Sequence, residues 1–256
     1  MDLRLDSHIA HLYKSKSQQI RVMTEDWVVK NIYCPICGTR LLSSFGNNMP
    51  VADFYCADCN EQYELKSKSS KSGVMGRKIT DGAYATMIER ISSLDNPNFM
   101  FLTYNEYMVS NLVLVPKYFF IPTIIEQRKP LASTAKRAGW VGCNINLGAI
   151  PDSGKIFIIK QGEKIQRNII EQNYLRTQSL ITNNIDSRGW MLDVLACVER
   201  VPTRSFCLND IYNFENELQL KHPSNNFVRD KIRQQLQVLR DKGFVEFTSR
   251  GNYKKI

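Results

Sequence analysis

Two pairs of cysteines most constrain what this chain can fold into. Each pair has Cys-x-x-Cys spacing, Cys34 with Cys37 and Cys56 with Cys59, and eighteen residues separate the pairs. Four thiolates spaced in this way can surround one ion, which is the arrangement of a closed tetrahedral zinc site. The alternative is four buried cysteines without a ligand in a reducing cell. We expect structural zinc, because four cysteine ligands leave no position open for water.

The rest of the composition is that of a globular protein. The chain has 256 residues, of which 43% are hydrophobic, enough to bury a core in one or two domains. No apolar run approaches the roughly 20 residues of a membrane helix. Residues 1–16 are mixed and charged, unlike an export signal. The three other cysteines are scattered singly, so we expect a reducing, cytoplasmic location without disulfides.

The charge balance favours an anionic partner. Lys and Arg together number 34 against 25 Asp and Glu, which gives a formal net charge of +9. A surplus of this kind is typical of proteins that bind nucleic acid or an anionic membrane surface. Charge alone does not choose between these two partners.

An acidic pair and a lysine surround the second cysteine pair. Asp53 lies just before it, and Glu64-Leu65-Lys66 follows just after it. Hydrolysis of a phosphodiester needs a divalent cation that neutralises developing charge and activates water. Mg²⁺ prefers oxygen ligands, which Asp53, Glu64 and the carbonyl of Leu65 can supply from adjacent strands. Glu64 and Lys66 are two residues apart, so they share one strand face.

Lys66 has several possible roles in such a site. Its ammonium can orient or deprotonate the attacking water, or offset negative charge in the transition state. The same spacing also fits a solvated strand face with ordinary charges. On spacing alone, both interpretations of Asp53, Glu64 and Lys66 stay open.

The periodicity of residues 1–182 predicts a mixed α/β core. Residues 8–31 have helical spacing with a break near residues 15–17, and residues 47–50 form a turn. Residues 81–94 form a second helix, residues 117–154 are irregular, and residues 165–179 form a polar helix or a linker. The predicted strands are 51–55, 62–66, 99–104, 112–115 and 155–160.

From about residue 183 the pattern changes to three helices and a hairpin. The predicted helices are residues 189–201, 206–218 and 225–242, and Gly243 ends the third. Phe227, Ile232, Leu236 and Leu239 are expected to face inward on that helix. Residues 244–256 form the hairpin. This is the element order of a winged helix, a relative of the helix-turn-helix DNA readers.

Basic and aromatic residues mark candidate DNA contacts. Residues 229–256 contain eight Lys or Arg and three Asp or Glu, a net charge of +5. Arginines near the start of a recognition helix can read guanine. Trp140 lies in a basic, proline-flanked segment, where its ring either contacts the duplex or belongs to the core. The candidate DNA-binding residues are Lys136, Arg137, Trp140, Arg188, Arg229, Lys231, Arg233, Lys254 and Lys255.

Several longer blocks resemble the DpnI family of restriction endonucleases. They extend from the first helix to the terminal hairpin and keep their order, so they are more specific than any single motif. The blocks are Trp27-Val28, the two cysteine pairs, residues 50–56, 64–68, 81–87, 96–99, 127–132, 137–140, 187–190 and 231–236. One departure is from the wider superfamily pattern, because the proline, Pro50, lies three residues before Asp53.

The resemblance implies an α/β fold, with a PD-(D/E)XK nuclease core over residues 1–182 and an inserted four-cysteine zinc site. It implies a winged-helix DNA-binding domain over residues 183–256. It also implies Mg²⁺-dependent cleavage of both strands of GATC containing 6-methyladenine, with blunt ends. Asp53, Glu64 and Lys66 would be the catalytic set, and the expected cofactors are Mg²⁺ and Zn²⁺.

Two other functions compete with this interpretation. The chain would be a zinc-stabilised winged-helix regulator if Glu64 and Lys66 were surface charges. A nuclease acting on RNA is disfavoured, because the deep, narrow major groove of RNA does not admit such a helix. The expected partner is double-stranded DNA methylated on adenine, with no membrane partner, and we expect a monomer.

Overall fold

The computed structural model describes residues 1–39, 41–46, 52–93 and 96–256. The chain divides into two compact units. The first comprises Met1–Ile79, Asp95–Lys117 and Ser153–Gln178, and the second comprises Thr80–Leu94, Tyr118–Asp152 and Ser179–Ile256. The described helices are all too short or too polar to cross a membrane. The predicted domain boundary between residues 182 and 183 stays a prediction.

Seven α-helices and thirteen strands are described. The helices are α1 Lys16–Asn31, α2 Tyr84–Ser93, α3 Arg167–Gln178, α4 Ile185–Arg200, α5 Leu208–Tyr212, α6 Glu215–Lys221 and α7 Val228–Asp241. The strands are β1 Ser43–Ser44, β2 Phe54–Tyr55, β3 Gln62–Ser69, β4 Lys78–Ala83, β5 Asn98–Asn105, β6 Met108–Val115, β7 Ile125–Gln127, β8 Gly142–Asn146, β9 Ile156–Lys160, β10 Glu163–Lys164, β11 Ser205–Cys207, β12 Val245–Ser249 and β13 Asn252–Lys255.

The first unit is built on a mixed sheet. Its described strands have the order β1-β2-β3-β5-β6-β9-β10. Strands β3 and β5 are parallel, and the other neighbours are antiparallel. Strands β5 and β6 have near-continuous apolar runs, and residues 99–102 and 112–115 are all buried. Such runs are typical of strands covered on both faces.

Helix α1 packs its apolar residues into the core of this unit. The predicted break is present, since a short 3₁₀ turn at His8–Ala10 precedes α1. Met23, Trp27 and Val28 are buried in the same cluster as residues of β3, β5 and β6. The indole N–H of Trp27 also donates to the carbonyl of Asp2 at 2.7 Å. The helix is therefore anchored along one side, and its other residues are available for the cleft described below.

The second unit corrects two predictions. The helix predicted over residues 81–94 begins at Tyr84, because Lys78–Ala83 is strand β4 in a sheet of order β4-β8-β7. Residues 117–154, predicted to be irregular, contain β7, β8 and short 3₁₀ turns. Pairing between strands that are distant in sequence overrides the local propensity here. The predicted turn at residues 47–50 and the start of the strand at Val51 lie outside the described residues.

The C-terminal part of the second unit has the predicted hairpin and two of the three predicted helices, the first and the third. Gly243 follows α7 with a φ of +77°, as expected for the residue that ends a helix. The helix predicted over residues 206–218 is instead strand β11 followed by α5 and α6. Strand β11 pairs with β13, with Phe206 opposite Tyr253, and completes a sheet of order β11-β13-β12. This third strand is what the sequence pattern missed.

A buried carboxylate makes His222 part of the interior of this unit. Asp193 lies in α4 and its side chain is fully buried. It pairs with Lys221 at 2.8 Å and with Nε2 of His222 at 2.9 Å. The ring of Trp190 stacks on His222 with the centroids 4.0 Å apart. His222 therefore lies mostly in the interior, and Trp190 is a core residue.

Candidate active site

The four predicted zinc ligands lie together in the first unit. Their sulfur atoms are all within 4.8 Å of one another, and both the Cys34–Cys59 and the Cys37–Cys56 Sγ distances are 3.6 Å. A tetrahedron with Zn–S bonds of about 2.3 Å has edges of about 3.8 Å, so the cluster fits a zinc ion. The donor set and its geometry support a structural site.

The two cysteine pairs have the same backbone geometry. Gly38 donates its N–H to the carbonyl of Cys34 at 2.8 Å, and Asn60 donates its N–H to the carbonyl of Cys56 at 2.9 Å. Gly38 and Asn60 both have a left-handed backbone, with φ of +70° and +58°. Glycine and asparagine are the residues that adopt this conformation most readily. The local sequence therefore shapes each cysteine pair.

Tyr63 joins the cysteine cluster to the acidic site. Its hydroxyl lies 3.0 Å from the Sγ of Cys34, and its side chain is fully buried. Burial raises the pKa of Tyr63 well above its usual range, so the hydroxyl is protonated and donates to the sulfur. Its backbone carbonyl accepts the N–H of Asp53 at 2.9 Å. One residue thus contacts a predicted metal ligand and fixes the backbone of a predicted catalytic residue.

Asp53 lies at the end of the pairing between β2 and β3. In the described part of the chain, this pairing ends at Phe54 and Tyr63. The carboxylate of Asp53 then accepts the backbone N–H of Leu65 at 2.8 Å. The N–H and C=O of one strand residue point toward the same sheet edge. The carbonyl of Leu65 is therefore on the edge that Asp53 occupies, as the proposed ligand set requires.

Glu64 and Lys66 share one face of β3, as predicted. Their side chains form an ion pair of 2.6 Å, with Glu64 13% and Lys66 24% exposed. Both residues line a cleft of about 600 Å³ that also contains Asp53 and Leu65. The structure therefore brings together all four residues that the sequence predicts for the catalytic site and its Mg²⁺ ion.

Helix α1 adds two charged residues to this cleft that the sequence analysis missed. Arg21 and Glu25 line it. The guanidinium of Arg21 lies 2.5 Å from Glu25 and 3.6 Å from Asp53. Burial raises the pKa of Glu25 against the lowering effect of Arg21, and the nearby charge of Asp53 raises it further. From the sequence, residues 21 and 25 look like an ordinary surface pair of helix α1.

A model of the DpnI family, described as the Dam-replacing family, matches residues 1–183 of the chain. The chain belongs to the DpnI family. A second model, the DpnI_C Dam-replacing HTH domain, matches residues 186–255, which contain α4 to α7 and β11 to β13. The predicted fold class is confirmed, with a sheet core, a four-cysteine cluster and a C-terminal DNA-binding domain. Membership of the DpnI family supports a methyl-directed restriction endonuclease.

In the HTH domain of this DpnI-family chain, the predicted arginines of α7 are paired with other residues. Arg229 lies 2.8 Å from Glu215. Arg233 pairs with Asp230 and donates to the hydroxyl of Tyr212 at 2.9 Å. The side chains of Arg229 and Arg233 are still 60% and 50% exposed. Both can therefore reach DNA, where phosphate or base atoms would compete with these partners.

Three other predicted DNA contacts of the HTH domain differ in accessibility. Lys254 is 41% exposed and lies 3.9 Å from Glu246. The ammonium of Lys255 instead donates to the carbonyls of Glu199 and Val201 at the end of α4. Arg188 is only 3% exposed, and burial lowers its pKa. Burial counts against a direct DNA contact for Arg188, and Lys254 is the most accessible of the three.

Trp140 lies between an arginine and a glycine. The guanidinium of Arg137 lies 4.6 Å from the centre of its ring, in a cation–π contact. On strand β8, a Cβ added to Gly142 would lie 2.8 Å from two ring carbons of Trp140. Lys136 and Arg137 are exposed, and Trp140 is half-buried. The absence of a side chain at Gly142 therefore allows the ring to approach the strand closely, with part of its surface accessible.

Proposed function

We propose that this chain cleaves both strands of DNA at GATC sites whose adenine carries a 6-methyl group, with Mg²⁺, and leaves blunt ends. The observation that carries the proposal is the convergence of Asp53, Glu64, Leu65 and Lys66 in one cleft. In a chain of the DpnI family, this cleft is the natural place for phosphodiester hydrolysis. A helix-turn-helix domain in the same chain supplies the means of binding the duplex.

Asp53, Glu64 and the carbonyl of Leu65 would hold the Mg²⁺ ion. They are hard oxygen donors, which suit this ion. Glu25 adds a third carboxylate to the same cleft, where burial raises its pKa and the nearby charge of Asp53 contributes a smaller increase. When bound, the ion supplies charge neutralisation at the phosphate and a more acidic water.

Two basic residues of the cleft would assist the reaction, Lys66 at the reacting groups and Arg21 at the carboxylates. Lys66 either orients or deprotonates the attacking water, or offsets negative charge in the transition state. Its ammonium pairs with Glu64 at 2.6 Å, so a cation bound by Glu64 would compete with this pair. Arg21 holds Glu25 and lies near Asp53, and thereby keeps the two carboxylates close before a cation binds.

The four cysteines would hold one structural zinc ion. The ion would fix the segment between Asp53 and β3, because Cys56 and Cys59 lie in this segment. The catalytic domain would extend over residues 1–182 and the winged helix over residues 183–256. We propose a cytoplasmic monomer that binds adenine-methylated double-stranded DNA through the exposed basic residues described above and through Trp140.

The test is digestion of one plasmid, prepared with and without adenine methylation at GATC, in the presence of Mg²⁺. Cleavage of both strands in the methylated plasmid, and little in the other, is the expected result. A Glu64→Ala chain serves as the inactive control. Equal cleavage of both plasmids would remove the methyl-directed part of the proposal. No cleavage of either plasmid would favour a zinc-stabilised DNA-binding regulator.

A further inference from the structure

The cleft has a basic part that the proposed catalysis does not use. Besides the charged residues already described, it is lined by Lys16 at the start of α1 and by Lys68 near the end of β3. Both lysines are exposed. Neither pairs with a carboxylate among the residues that the structure describes, whereas Lys66 in the same cleft is paired with Glu64 at 2.6 Å. The charge of these two lysines is therefore available to an anionic ligand.

Lys68 continues the face of β3 that carries Glu64 and Lys66. Alternate residues of a strand point to the same side, and two residues span about 6.6 Å. Because Asp53 accepts the N–H of Leu65, Lys68 lies on the side of Lys66 away from the carboxylates. Successive phosphates of one strand of B-DNA are about 3.4 Å apart along the axis, and farther apart in space because the strand winds around it. The step from Lys66 to Lys68 is comparable with the step between neighbouring phosphates.

The backbone that carries Lys68 is held in register. Strand β3 pairs with β5 up to its last residue. The next residue, Ser70, donates its N–H to the carbonyl of Tyr104 at 2.8 Å. The side chain of the buried Asn111 then donates to the carbonyl of Gly73 at 2.7 Å, which ties the following segment to β6. Lys68 is therefore presented from a fixed backbone and not from a loose loop.

The chemistry of the cleft favours a phosphate beside Lys68. A DNA strand that crosses the catalytic residues continues past them, so the phosphates on either side of the scissile one also lie in or near the cleft. Beside the carboxylates of Glu25, Asp53 and Glu64, a further phosphate would be repelled. Lys68 instead supplies an ammonium, which binds phosphate oxygens as a point charge.

We propose that Lys68 binds the phosphate next to the scissile one and thereby fixes the position of the strand in the cleft. The inference rests on the proposed function and adds a phosphate-binding residue to it. In a blunt cut of GATC the scissile phosphate joins A and T. Its neighbours are the phosphates of the G–A and T–C steps. Both have the same chemistry, and the experiment separates them.

The test uses the full chain and three duplexes with one adenine-methylated GATC site. The first has all its phosphates, the second has a neutral methylphosphonate at the G–A step of both strands, and the third has it at the T–C step. Each is cleaved, with Mg²⁺ and below saturation, by the wild type, Lys68→Ala and a control, Lys164→Ala. Lys164 is exposed on β10 and does not line the cleft, so the control also removes one surface charge.

On the intact duplex, Lys68→Ala is expected to lower kcat/KM about 10-fold or more, as for loss of a hydrogen bond to a charged group. Lys164→Ala should match the wild type. On one of the two modified duplexes, the wild type and Lys68→Ala are expected to cleave at the same rate, because the charge that Lys68 contacts is already absent. On the other, the difference between them remains. Because residue 68 is exposed, unfolding curves of the variants should match the wild type.

Three results would overturn the inference. They are an unchanged kcat/KM in Lys68→Ala on the intact duplex, an equal loss in Lys164→Ala, and a difference that vanishes on both modified duplexes or on neither. Equilibrium binding of the same proteins and duplexes without Mg²⁺ measures the contact independently of cleavage. A chain that cuts no duplex but shows this pattern in its affinities would refute the proposed function and still support the contact. A chain that cuts the intact duplex without the pattern would refute the contact alone, and one that shows neither would refute both.

Discussion

The hydroxyl of Tyr63 donates to the Sγ of Cys34 at 3.0 Å, while the next residue along the chain is Glu64 of the cleft. A buried side chain thus connects the cysteine cluster with the strand that carries the acidic residues. Residues that hydrogen-bond to metal ligands orient those ligands and tune their affinity. The predicted zinc site and the catalytic site are therefore expected to respond to the same substitutions.

Tyr63→Phe is expected to weaken zinc retention roughly 10-fold, because it removes a hydrogen bond to one ligand. The loss of a buried hydrogen bond should also lower the free energy of unfolding by about 1 kcal/mol. Zinc release to a chelating dye and thermal unfolding measure the two effects. Tyr33→Phe is the matched control, because Tyr33 precedes Cys34 in the sequence and its buried hydroxyl has no hydrogen-bond partner among the described residues. Equal zinc release by the two variants would contradict the expectation.

Asp53→Ala is expected to abolish cleavage while leaving DNA binding largely intact. A cation ligand is worth several kcal/mol of transition-state stabilisation, so the cleavage rate should fall by about 10³-fold or more. Binding rests mostly on phosphate contacts elsewhere. Glu163→Ala, an exposed carboxylate on β10, is the control. If folded Asp53→Ala lost binding as well, Asp53 would be a structural residue.

Glu25→Gln is expected to stabilise the protein while weakening its use of Mg²⁺. Burial raises the pKa of Glu25 above the unfolded value of about 4.3, so the folded state binds this proton more tightly. Wild-type stability therefore falls as pH rises through the folded pKa, and glutamine removes that loss. The gain should appear near pH 7 and vanish below about pH 4, the unfolded pKa. Urea unfolding at both pH values measures it, and lower stability of the variant at pH 7 would contradict it.

The same Glu25→Gln variant should need roughly 10-fold more Mg²⁺ for half-maximal cleavage, because one carboxylate of the cleft is lost. Titration of cleavage against Mg²⁺ measures this shift. An unchanged midpoint would show that Glu25 acts on folding alone. Activity that returns at high Mg²⁺ would separate a cation-binding role from damage to the catalytic set.

Gly142→Ala is expected to relax the preference of cleavage for methylated DNA. Its Cβ would lie 2.8 Å from the Trp140 ring, which must move. The backbone of Gly142 is not left-handed, so alanine itself is allowed there. Gly82→Ala is the control, because the Cβ added at Gly82 meets no described atom within 4 Å. Cleavage rates on methylated and unmethylated plasmids give the ratio, and an unchanged ratio would leave the ring position without a role in selectivity.

Elements whose residues have a clear local spacing or hydrophobic run could be predicted from the sequence. The buried strands β5 and β6 and the cysteine pairs follow from apolar runs and spacing. Strand β4 does not, because its pairing with β8 depends on residues some sixty positions away. Glu25 could not be assigned to the cleft, since its helical spacing with Arg21 has a simpler explanation. Phe227 was misplaced for a physical reason, because hydrophobicity predicts burial and the structure exposes it.

The pairing of Arg229 with Glu215 and of Arg233 with Asp230 changes what these arginines contribute to association with DNA. Each phosphate that a protein neutralises releases condensed counterions from the duplex, which makes affinity depend steeply on ionic strength. An arginine that leaves an acidic partner exposes a carboxylate, and this carboxylate recruits a cation again. The acidic partners therefore weaken the binding of these arginines to DNA of any sequence. Binding through α7 is then favoured at sites where contacts with the bases offset the loss of these ion pairs.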